Sequence, residues 1–78
     1  MERDRWIYEN LCHCFNNDET LVNIIISLSD YGNYPKESIM KQVFKMFAVN
    51  AHKVSNKGNP FQRTQKINRE LGWNVESK

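Results

Sequence analysis

Glycine and proline are scarce in this 78-residue chain, at three and two copies. No glycine-rich loop is present to cradle a phosphate. Cysteine is equally sparse: Cys12 and Cys14 are the whole complement. Lying two residues apart, they are too close for a relaxed disulfide, so reduced thiols are expected. Long apolar runs are also missing. The longest, Leu21 to Leu28, is interrupted by Asn23 and Ser27, far short of the roughly 20 residues a membrane span needs. The opening Met-Glu-Arg-Asp-Arg-Trp lacks the apolar stretch of a secretory signal. These absences predict a soluble, cytoplasmic protein that does not enter a membrane.

Chemistry is as thinly represented. No Ser/His/Asp set and no carboxylate pair is singled out by its surroundings, and so small a domain has little room for a pocket beside its core. The expectation is a protein without enzymatic activity or cofactor. Cys12-His13-Cys14 contains metal-ligating residue types at the wrong spacing. On a helix, residues two apart point roughly 200° away from each other, so the two thiolates could not share an ion. His52 is the one other histidine. The simpler reading puts Cys14 in the core, Cys12 beside it and His13 in solvent.

What the chain does have is enough apolar and aromatic residues for one core, including two Trp, four Phe and three Tyr. It also has an uneven distribution of charge. Up to Asp30 six acids face two bases, whereas between Lys36 and Glu70 eight bases face two acids, within a net charge of +2. Such polarity predicts a surface that meets an acidic partner.

Apolar spacing predicts one all-α domain over residues 1–78, a small compact bundle of about four helices. The first helix, Arg5 to Asn16, aligns Ile7, Leu11, Cys14 and Phe15 at i, i+4, i+7 and i+8. Asp18 is the expected N-cap of the second, with Glu19 in its first turn. Leu21, Val22, Ile24, Ile25, Ile26 and Leu28 cover most of that helix, which suits the most buried position. The β-branched Ile24-Ile25-Ile26 also suits a short strand, though no second strand is evident to pair with it. Gly32 follows as a stop signal.

Pro35 opens a third helix of about five turns, striped by Met40, Val43, Phe44, Phe47, Ala51 and Val54. A polar loop, Ser55 to Asn59, leads to the best-marked helix of the chain. Asn59 caps it, Pro60 takes its first position and Gly72 ends it before Trp73.

Two features suit binding. Gln62, Lys66 and Arg69 fall at i, i+4 and i+7 on the fourth helix with Arg63 beside them, and Lys41, Lys45, Lys53 and Lys57 could widen the basic patch. These are types that contact acidic protein surfaces or nucleic-acid phosphates and bases. A bland alternative is a solvated face with Lys66 and Glu70 paired at i, i+4. The second feature is the loop Tyr31-Gly32-Asn33-Tyr34-Pro35, where Tyr31 and Tyr34 offer contact area at low entropic cost.

A long third helix and a five-residue loop do not suit a helix-turn-helix, and +2 is a low charge for phosphate binding. The sequence therefore favours a regulator, adaptor or inhibitor of the kind phage and viral proteins provide, binding an acidic protein surface. Nucleic-acid binding through the fourth helix is the alternative. The acidic and basic regions could also neutralise one another within the chain, or pair between subunits of a homodimer.

Overall fold

A chain with apolar residues three and four apart buries them by winding into helices and packing the striped faces together. A computed structural model describes residues 2–53 and 58–73. Among these are four α-helices and no strand: α1 (Arg3–Leu11), α2 (Asp18–Asp30), α3 (Lys36–Val49) and α4 (Pro60–Leu71). Helix thus prevails at Ile24–Ile26. The helices enclose one small core of Ile7, Leu11, Cys14, Leu21, Ile25, Leu28, Ile39, Val43, Met46, Phe47 and Ile67.

Helix α1 stops sooner than its spacing suggests and tightens into a 3₁₀ turn, Cys12–Cys14. The turn delivers Cys14 to the core and leaves Phe15 half-buried against it. Asn17, not Asp18, then caps α2, its side chain accepting the Thr20 backbone N–H at 3.1 Å. A short amide side chain competes well for such orphan donors. The Asp18 carboxylate is thereby spared for contacts elsewhere.

The exit from α2 is tight. The Gly32 N–H donates to Ser27 O and the Tyr34 N–H to Leu28 O, each at 3.1 Å. A Cβ on Gly32 would lie 2.8 Å from Leu28 O and from the Tyr34 ring. Glycine is needed here for close approach, while the left-handed residue of the loop is Asn33, at φ 58°.

The central helix is α3 rather than α2, because α1 and α4 both pack most extensively against it. Ile26 instead faces outward from α2. The stripe of α3 is Ile39, Val43, Met46 and Phe47, with Gln42 buried beside it. Phe44 was expected in that stripe but is 44% exposed. One residue beyond Val43 it is turned about 100° from the buried line. The helix also ends early, at Asn50, whose side-chain amide donates to Met46 O at 2.8 Å. Ala51 falls in a following 3₁₀ turn, Ala51–Lys53; Val54, Ser55 and Lys57 lie outside the described residues.

Helix α4 begins and ends where its signals are. Asn59 accepts from the Gln62 N–H at 2.8 Å while the Gln62 side chain accepts from the Asn59 N–H at 3.2 Å, a reciprocal capping box. Gly72 closes it in the left-handed conformation at φ 74°. Asn59→Ala should cost about 1 kcal/mol of stability, read as a lowered urea midpoint. An unchanged midpoint would mean that the box contributes nothing.

Candidate functional site

The fourth helix carries fewer available cations than its sequence suggests. Arg63 is not on the surface: it is 6% exposed. Its Nη2 donates to the Phe15 carbonyl and its guanidinium lies 4.0 Å from the centroid of the Phe47 ring. Burial pushes its pKa down, opposed by Asp18, whose carboxylate is 4.0 Å away. The reason is the register of α4, where Arg63 precedes buried Ile67 by one turn and so shares the inward line. That spacing was a signal in the sequence, overridden by the habit of placing arginine outside.

Lys66 is also engaged. Its Nζ lies 3.2 Å from Asp18 and 4.0 Å from Glu70. The acidic early segment and the basic late one therefore meet inside one chain, through Asp18. Gln62 is held by its cap. Arg69 remains outward-facing and pairs with no carboxylate among the described residues.

A different grouping forms at one end of the bundle. Trp73 follows α4 and its N–H donates to Asn68 O at 3.1 Å; its ring packs partly against the core. The Lys36 Nζ, at the start of α3, lies 5.1 Å from the centre of that ring. So the end of α4 sits beside the first turns of α3.

A groove of about 390 Å³ opens there, lined by Lys36, Glu37, Met40, Lys41, Asn68 and Trp73. The Asn68 Oδ1 is buried and has no hydrogen-bond partner, a costly state unless a donor reaches it. Tyr31 is 88% exposed, whereas Tyr34 is half-buried against the core. Of the binding residues expected from the sequence, this groove holds Lys41, to which the fold adds Lys36, Asn68 and Trp73; Tyr31 and Tyr34 lie in the loop leading into α3 and Arg69 on the outward side of α4.

Lys45 belongs elsewhere, to a wider groove of about 790 Å³ between α1 and α3. Its Nζ stands 5.1 Å from the centre of the Tyr8 ring. Burial, then Cys12, pushes the Tyr8 phenol up. Burial alone pushes the Cys14 thiol up, which keeps it protonated and unreactive. Cys12 is half-buried and His13 exposed. No group of three His, Cys, Asp or Glu side chains converges among the described residues, and none of their helices is long and apolar enough to cross a membrane.

No family model matches the chain, and neither does any curated protein or solved structure.

Proposed function

We propose that this is a non-enzymatic helical protein that works by binding an acidic protein surface, as a regulator, adaptor or inhibitor. The observation that carries the reading is the groove at the α3–α4 end. Two cations, Lys36 and Lys41, stand around Trp73 and Met40, with Glu37 the one acid lining that groove. Exposed Tyr31 stands in the adjacent loop. Tyr and Trp at a partly apolar, cationic surface match the makeup of protein interfaces.

Two facts favour protein over nucleic acid. Arg63 is spent in the interior and Lys66 is paired with Asp18 and Glu70, so α4 offers one outward cation without a carboxylate partner among the described residues, Arg69, where several phosphate contacts would be required.

The test is a pull-down from lysate of the cells that make the protein, with and without nuclease, comparing the wild type with Lys36→Glu/Arg69→Glu. A discrete protein retained after nuclease and reduced at least about tenfold in the double variant supports the reading. Proteins held equally by both forms would place binding elsewhere, and proteins lost on digestion would give precedence to nucleic acid.

A further inference from the structure

The wide α1–α3 groove pairs an apolar floor with charged rims. Its floor is apolar: Tyr8, Phe44, Ala48 and Val49, with Phe44 44% and Val49 53% exposed. Its rims carry opposite charge. Along α1 stand Glu2, Asp4 and Glu9 with Arg5 among them, and along α3 stand Lys41 and Lys45. The α1 acids are only loosely committed, Glu9 to Arg5 at 3.2 Å and Asp4 to Arg3 at 3.4 Å, all four well exposed. Exposed pairs of this kind contribute little and exchange readily.

We infer that this groove is the interface of a two-fold homodimer. A strip of apolar surface between one acidic and one basic rim is complementary to itself. Rotation by half a turn about an axis running along the groove lays the α1 rim of each copy over the α3 rim of the other. The same patch then serves both partners, as an isologous contact requires.

The acidic rim, Glu2 to Glu9, spans about 10 Å and the basic rim, Lys41 to Lys45, about 6 Å. The two match in level, because Lys45 stands over Tyr8, the residue before Glu9. Glu9 of one copy therefore meets Lys45 of the other twice, once on each side of the axis. Rotation about the perpendicular in-plane axis would set acids on acids, so charge selects one arrangement.

The dimer also covers Phe44 and Val49, which the monomer leaves in water at an entropic cost to the solvent. An interface of ordinary size, about 800 Å² per partner, would occupy about a sixth of the 5141 Å² surface.

Sedimentation of the purified protein and two single charge reversals, Lys45→Glu and Glu9→Lys, tests the arrangement. The wild type should sediment as a dimer. Each variant alone should dimerise at least about tenfold more weakly, since like charges then face one another across the axis. An equimolar mixture of the two should recover the dimer, because each rim again faces its opposite. Val49→Glu, at a half-exposed site, should also give monomer, with helical circular dichroism confirming that every variant is folded. A wild type that stays monomeric up to its solubility limit overturns the inference. So do charge variants that dimerise as the wild type does, or a mixture that gains nothing over its components.

Discussion

Replacing Phe47 with alanine should remove a large share of the chain's stability. Phe47 is the largest fully buried side chain of the core. Truncating a buried phenylalanine costs about 3–5 kcal/mol, through lost transfer energy and the cavity left behind. At about 0.05–0.15 kcal/mol per residue, a 78-residue chain has only about 4–12 kcal/mol in total. The ring is also the platform for Arg63, so two contacts fail together. Phe44→Ala, three positions earlier but half-exposed, should cost no more than about 1 kcal/mol. Urea unfolding followed by helical circular dichroism measures both. Equal losses at the two sites would mean that the inward face of α3 is wrongly assigned.

The second large effect is expected at Arg63. Its guanidinium donates to the Phe15 carbonyl, stacks over Phe47 and lies near Asp18. Arg63→Ala removes a charge-assisted hydrogen bond and a desolvated cation–π contact at once, about 2–4 kcal/mol together. It also leaves the Phe15 carbonyl without that donor. Lysine should not rescue it, since a single ammonium cannot both stack on the ring and reach the carbonyl as a planar fork does. Arg69→Ala, on the outward side of the same helix, should stay within about 0.5 kcal/mol of the wild type. Matching urea midpoints for the two alanine variants would return Arg63 to the solvent.

These two residues mark what was legible in the chain. Positions of the helices followed from periodicity and punctuation, and α4 was clearest because Asn59, Pro60 and Gly72 each act locally. Phe47, Val43, Ile25 and Ile7 fell on predicted stripes and are buried. Phe44 did not follow, since a wide apolar stripe fixes the face of a helix only to within about one residue, or 100°. The neighbour it packs against sets the rest.

The site was harder to read. Tyr31, Lys41 and Arg69 were visible as binding types, but nothing local told that α4 ends beside the start of α3. Asn68 and Trp73 gain their interest only from that juxtaposition. Arg63 was missed because composition argues for exposure while its register with Ile67 argues for burial, and the register prevails when an aromatic ring and a carbonyl await it.

The contacts of Arg63 with Phe15 and of Lys66 with Asp18 each join residues 48 apart in the chain. Closing so long a loop is entropically slow compared with winding a helix. While the chain is being synthesised, α1, α2 and α3 are complete before Arg63 exists to cover the Phe47 ring and bind the Phe15 carbonyl. The nascent three-helix segment therefore carries an uncovered aromatic face, and docking of α4 is the step that seals it. The same two ties that neutralise the fourth helix as a basic surface act as the clasp that completes folding.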